Sequence, residues 1–240
     1  MTQLNVLVTG GAGFIGSHLV DALINQGHKV RILDGLVEQV HLGKVPAFLN
    51  PKAEFLRGDI CDTALLDRAL DGIDVVSHQA AEVGVGQSMY EPVRYVRANT
   101  LGTTVLLEKL SERHRRQPFK KLIVASSMSI YGEGAYVCAK CGRVHPQLRP
   151  TSQLQAHEWE VKCPQCSAPL KPLATSEEKT ALPDFCVCHL ETRPGTTLPG
   201  DGTCVWNPDC GFALFQCLRR PPSAFKPLHR TLRDLQFTAT

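Results

Sequence analysis

The sequence predicts an α/β domain with a doubly wound parallel sheet, a Rossmann fold, and two observations carry that expectation. Between Leu4 and Ser129 short β-branched runs alternate with stretches of helical period, and a glycine triplet stands where the first strand should turn into the first helix. Alternation of this kind makes βαβ units, whose right-handed crossovers leave helices on both faces of a parallel sheet. In chain order, Leu4–Thr9, Lys29–Leu33, Glu54–Arg57, Val75–His78 and Lys121–Ser126 read as buried strands. Between them Phe14–Gln26, Thr63–Leu70 and Pro92–Arg116 read as helices. Pro92 falls in the first turn of the last, where a missing N–H costs nothing.

Composition divides the rest. Residues 1–132 form the patterned domain, and residues 133–183 form an insert in which both periods fade and Cys, Pro and Gln appear. Residues 184–240 hold five of the ten cysteines, six prolines and no sustained apolar period, so no domain and a poorly ordered C-terminal tail are expected there. At 240 residues, 43% hydrophobic and 20% charged, the chain is globular rather than fibrous or disordered. No apolar run approaches the roughly 18 residues of a membrane span, and no basic segment precedes a cleavable apolar stretch at Met1. The expected compartment is cytoplasmic, with no membrane partner. A net charge of +3 is too small for a polyanion footprint, so no nucleic-acid partner is expected.

The strongest local signal is Thr9-Gly10-Gly11-Ala12-Gly13-Phe14-Ile15-Gly16. Gly10 permits a tight turn, Gly13 lets backbone amides approach a diphosphate, and Gly16 allows close packing of helix on strand. The helix N terminus then presents free N–H groups and a positive dipole end to the anion. Asp34 closes the second strand 24 residues after Gly10. A carboxylate there either accepts the ribose hydroxyls of NAD and repels the 2′-phosphate of NADP, or caps the turn before Gly35.

Further along, Gly58-Asp59-Ile60 follows the third strand, His78-Gln79-Ala80-Ala81 the fourth, and Ala125-Ser126-Ser127-Met128-Ser129-Ile130-Tyr131-Gly132 the fifth. Together these motifs resemble the extended short-chain dehydrogenase/reductase family, in its NAD-dependent nucleotide-sugar epimerase and dehydratase branch, over roughly Leu4 to Pro183. The resemblance implies that Asp59 and Ile60 flank adenine and that Ala80 and Ala81 line the dinucleotide. Asn99 is implied beside the nicotinamide half, Ser126 at the cofactor, and Ser127 as the active-site hydroxyl on the sugar 4-OH. It also implies a nucleotide-sugar substrate and a homodimer through the Pro92–Arg116 helix. Dehydratases of this branch carry an Asp-Glu pair after that serine, as acid and base for water elimination. Here Met128 and Ser129 stand in its place, which favours 4-epimerisation of a nucleotide-activated hexose, an isomerase reaction, over dehydratase or reductase chemistry.

Cys138, Cys141, Cys163 and Cys166 form C-x₂-C-x₂₁-C-x₂-C, the spacing of two knuckles that together close a tetrahedral structural zinc site. Gly142 follows the first pair as a knuckle turn requires, and the insert is expected to be zinc-ribbon-like.

The family's catalytic Tyr-x-x-x-Lys needs one helix. Tyr136-Val-Cys-Ala-Lys140 matches literally but straddles a knuckle, so it is rejected. The expected position follows Pro183, where the patterned text stops. Reading possible codons from Phe185 one nucleotide late yields Ser-Val-Tyr-Ala-Ile-x-Lys, and from Asp209 yields Thr-Val-Ala-Leu-Arg-Phe-Phe-Asn-Val-Tyr-Gly; the first restores that motif. Residues 184–240 therefore read as an out-of-frame tail, with a divergent Cys-rich tail as the alternative. The expected chain binds NAD and zinc but turns over weakly or not at all. A non-catalytic NAD- and zinc-binding regulator is the alternative function.

Overall fold

The computed structural model describes residues 2–127, 131–176, 179 and 203–206. Among them two compact units are distinguished. One runs to Ser126 and includes Thr203–Trp206; the other begins at Ser127 and reaches Lys179.

In the first unit, strands β1 (Asn5–Thr9), β2 (Lys29–Asp34), β3 (Glu54–Arg57), β4 (Val75–His78) and β5 (Lys121–Ala125) are all parallel, in the order β3-β2-β1-β4-β5. Helix α1 (Phe14–Asn25), the short α2 (Glu38–His41), α3 (Thr63–Leu70), the short α4 (Val85–Ser88), α5 (Pro92–Tyr95) and α6 (Gly102–His114) connect them. Between α5 and α6 the helix widens into a π-helical segment, Val96–Leu101.

Period-two alternation along β1 explains why both faces are covered. Val6 and Val8 point to one side, where Val20 and Leu23 of α1 bury them together with Val30, Ile32 and Val75. Leu7 points to the other, into a cluster with Leu66, Ala69 and Leu70 of α3 and Leu106 and Leu110 of α6. Strand order reverses beside β1: the chain goes first to β2 on one side and later to β4 on the other. A crevice at the C-terminal ends of β1 and β4 is the consequence, and in open α/β sheets ligands bind there.

One strand lies within the stretch read as a tail. Thr203–Trp206 forms β9, antiparallel to β5, with Ala125 opposite Thr203 and Leu122 opposite Trp206. The remainder of the proposed out-of-frame segment, residues 184–202 and 207–240, lies outside the described residues, as do Met128 and Ser129.

The second unit is an antiparallel sheet in the order β7-β6-β8, made of β6 (Ala135–Cys138), β7 (Gly142–Val144) and β8 (Lys171–Leu173), with a one-turn helix α7 (Thr151–Gln155). Cys138 pairs with Gly142, which is left-handed at φ 75°, so the first knuckle is the tight end of a hairpin. Tyr136 lies on β6 and Lys140 in that hairpin's turn, which removes this pair from any helix.

Candidate functional site

Gly10 leaves β1 at φ 69°, a left-handed conformation that a side chain would strain. Its N–H donates to Leu33 O at 2.8 Å, and a Cβ here would lie 2.7 Å from Ala80 N. The turn is thus wedged between β2 and the segment after β4. Gly16 comes back against it: a Cβ would sit 2.2 Å from Gly10 O and 2.8 Å from Gly11 Cα. Gly13 is the N-cap of α1, yet no side chain caps that end and no acidic residue occupies the first turn. Phe14 and Ile15, 78% and 61% exposed, project outward from the same turn and leave its amides open. A twelve-residue helix that starts uncapped after a glycine-rich turn offers free N–H groups and a positive dipole end, the arrangement that suits an anion.

Asp34, buried at the end of β2, reaches the glycine turn from the side. Its Oδ2 accepts the Ala12 N–H at 2.9 Å and its Oδ1 the Leu36 N–H at 2.8 Å. The turn-capping geometry is therefore present, and it also ties the glycine turn to β2. Each carboxylate oxygen keeps a lone pair for a hydroxyl donor.

The wall beyond β4 is held by the long helix. Asn99, buried in the π-helical segment, accepts the Glu82 N–H at 2.7 Å and donates to Glu82 O at 3.0 Å. That pair of hydrogen bonds anchors the backbone of Glu82, next in the chain after Ala80, half-buried, and Ala81, exposed. Asp59 accepts from Cys61 N–H and pairs with Arg97 at 2.8 Å. Partial burial raises its carboxyl, but those two donors outweigh burial and hold it below the usual range. Ile60 is buried and rests on Gly102. Ser126, just past β5, has a buried hydroxyl with no partner among the described residues. Ser127 is half-buried and opens the second unit.

Cys138, Cys141, Cys163 and Cys166 bring their sulfurs within 4.8 Å of one another, with Cys138 and Cys166 at 3.5 Å. Four thiolates about 2.3 Å from one tetrahedral ion are about 3.8 Å apart, so the set fits a metal of that kind. The Lys140 and Cys141 backbone N–H groups bring the Cys138 thiol down to about 6. The neighbouring sulfurs, Cys166 first, push Cys141 up to about 12.

The NAD dependent epimerase/dehydratase family model matches residues 6–153. The chain belongs to this family. It is 35% identical over 158 residues to a dTDP-L-rhamnose 4-epimerase of Burkholderia thailandensis, covering 65% of this chain and 43% of that protein. With a UDP-glucose 4-epimerase of Yersinia enterocolitica it shares 38% over 138 residues, covering 56% and 40%. A solved UDP-glucose 4-epimerase of Thermotoga maritima is 40% identical, with a TM-score of 0.48, covering 55% of this chain and 40% of that one. The chain thus spans about two fifths of the length of the curated relatives it matches. Among the described residues no helix is long and apolar enough to cross a membrane.

In this family member one buried histidine links three elements beneath the turn. His78, placed by sequence only as part of a motif, bonds Thr9 Oγ1 through Nδ1 at 2.6 Å and Thr103 Oγ1 through Nε2 at 2.9 Å. Thr9 Oγ1 also accepts the Ala80 N–H at 3.3 Å. The relay joins β1, β4 and α6 beneath the glycine turn, each ring nitrogen of His78 facing a threonine hydroxyl that can either donate or accept. Burial lowers the His78 pKa from 6.5 to about 4. The unfolded chain therefore takes up a proton first as pH falls. Stability from this group is complete above about pH 6.5 and is lost as pH drops through 4, by roughly 2 kcal/mol between pH 7.5 and 5. Urea unfolding of the native chain and of His78→Gln across that range should differ by this slope; parallel curves would contradict the burial argument.

Proposed function

We propose that the first unit binds NAD and the second holds one structural zinc ion, within a chain whose family reaction is 4-epimerisation of a nucleotide-activated hexose. The observation that carries this reading is the uncapped N terminus of α1 behind the Gly10–Gly16 turn, with Asp34 beside it. NAD, when bound, supplies a hydride acceptor that can return the hydride to the other face of a transient 4-keto sugar.

The residues of this chain bind and orient. The amides of Phe14 and Ile15 meet the diphosphate, and the remaining lone pairs of Asp34 take ribose hydroxyls while its charge repels a 2′-phosphate. Asp59 and Ile60 border adenine, Ala80, Ala81 and Asn99 form the wall, and the orphan Ser126 hydroxyl gains a partner. Ser127 meets the sugar 4-OH. Met128 and Ser129 offer neither the acid nor the base that water elimination needs, which disfavours a dehydratase. The four cysteines close a thiolate site with no open position for substrate, so zinc there stabilises structure without chemistry.

Residues 1–240 as written hold no Tyr-x-x-x-Lys outside the Tyr136–Lys140 hairpin. We therefore expect this chain to bind NAD with weak turnover or none, and that same feature favours the second reading, a non-catalytic NAD- and zinc-binding regulator. Isothermal titration should find NAD bound at least about tenfold more tightly than NADP, the selectivity expected of the Asp34 carboxylate. Equal affinities, or none, would refute the cofactor reading; efficient interconversion of a nucleotide hexose by this chain would refute its loss of turnover.

A further inference from the structure

Two glutamines form a polar bridge that the cofactor contacts above do not use. Gln87 of α4 and Gln39 of α2 exchange reciprocal amide bonds: Gln39 Nε2 donates to Gln87 Oε1 and Gln87 Nε2 to Gln39 Oε1, both at 3.2 Å. Gln87 is otherwise fully engaged. Its Nε2 also donates to Glu91 Oε1 at 2.9 Å, and its Oε1 also accepts the hydroxyl of the buried Tyr95 at 3.3 Å. An amide with two donors and two acceptor sites has thus used all four. Arg94 joins the same group, donating to Gln39 at 3.2 Å and pairing with Glu82 at 2.8 Å and Glu91 at 3.0 Å.

Topology gives this bridge its meaning. Helix α2 follows the C-terminal end of β2, and α4 follows the C-terminal end of β4. These strands flank β1, so their ends are separated by two strand spacings, roughly 10 Å. The glycine turn emerges between them. A bond from α2 to α4 therefore crosses the C-terminal edge of the sheet on the side where the glycine turn opens. Helix α2 buries none of its residues, so these polar bonds rather than packing hold it down.

We propose that Gln39 and Gln87 form a latch across the dinucleotide crevice, and that their pairing governs how fast a bound dinucleotide escapes. The inference rests on the cofactor reading given above. Opening breaks the two reciprocal hydrogen bonds between the amides and the Arg94–Gln39 bond beside them. Their loss should speed release by roughly three- to tenfold, the range expected for two modest hydrogen bonds.

The probe is NADH, whose bound fluorescence is followed while excess NAD chases it off. Gln39 is exposed, so Gln39→Ala should keep the native melting temperature and yet release NADH faster. Gln87→Ala should accelerate release as well, and the double variant Gln39→Ala/Gln87→Ala should fall short of the product of the two single effects, as a shared interaction requires. An unchanged rate in Gln39→Ala, or independent additive effects in the double variant, would overturn the latch while leaving cofactor binding in place. Absence of any bound signal in the unsubstituted chain would overturn the cofactor reading and the latch together.

Discussion

Gly16→Ala is expected to abolish dinucleotide binding and to lower the stability of the first unit by roughly 3 kcal/mol or more, among the larger losses a single substitution causes. The added methyl would sit 2.2 Å from Gly10 O and 2.8 Å from Gly11 Cα, so it meets backbone rather than a side chain that could swing away. The backbone it meets has nowhere to retreat. Gly10 is bonded to Leu33 O and faces Ala80, and Asp34 holds Ala12 from the other side. Helix α1 must therefore move off the turn, which opens the packing of Val20 and Leu23 on β1 and misaligns the first-turn amides. Gly86→Ala is the control, because a Cβ there meets nothing within 4 Å and the backbone is not left-handed. Urea unfolding and NAD titration of both variants decide the matter. Native-like NAD affinity in Gly16→Ala would mean that the turn is not the anion site.

Strands β3 and β4 and helix α3 fall where the sequence places them, because apolar period and turn residues there agree with the tertiary contacts. The clustering of Cys138, Cys141, Cys163 and Cys166 is legible as well, since each C-x₂-C pair is local. The sequence reads as one helix from Pro92 to Arg116, whereas the structure widens it into a π-helical segment at Val96–Leu101. That widening occurs where Asn99 grips the backbone of Glu82, seventeen positions earlier in the chain, a contact that no periodicity encodes. The same blindness applies to His78, whose partners Thr9 and Thr103 come from two other elements. Helices α2 and α4 have four residues each, too few for a period to register. Strand β9 adds antiparallel at the edge of a parallel sheet and lies in text without alternation, so nothing local announced it. Of the two readings of Asp34, the turn cap is present in its bonds from Ala12 and Leu36, which leave one lone pair on each carboxylate oxygen.

Removal of metal is expected to unfold the cysteine unit outright. Its three strands have four, three and three residues, and its buried cluster is Cys138, Val144 and Cys163. Two of those three core residues are the thiols themselves. Val144 is the single buried aliphatic member of that cluster, with Ala168 and Leu170 packed against it only partly buried. A core of that size cannot offset the entropy of ordering the chain. Zinc coordination in small thiolate domains supplies about 10–16 kcal/mol, which is ample. The purified chain should carry one zinc ion, and cobalt substitution should give the thiolate charge-transfer absorption of a tetrahedral S₄ centre. Chelation, or Cys163→Ser, should erase hydrogen-exchange protection of the amides in β6, β7 and β8. Persistent protection in the metal-free chain would show that side-chain packing alone holds the hairpin, and the metal would then have no structural role to play.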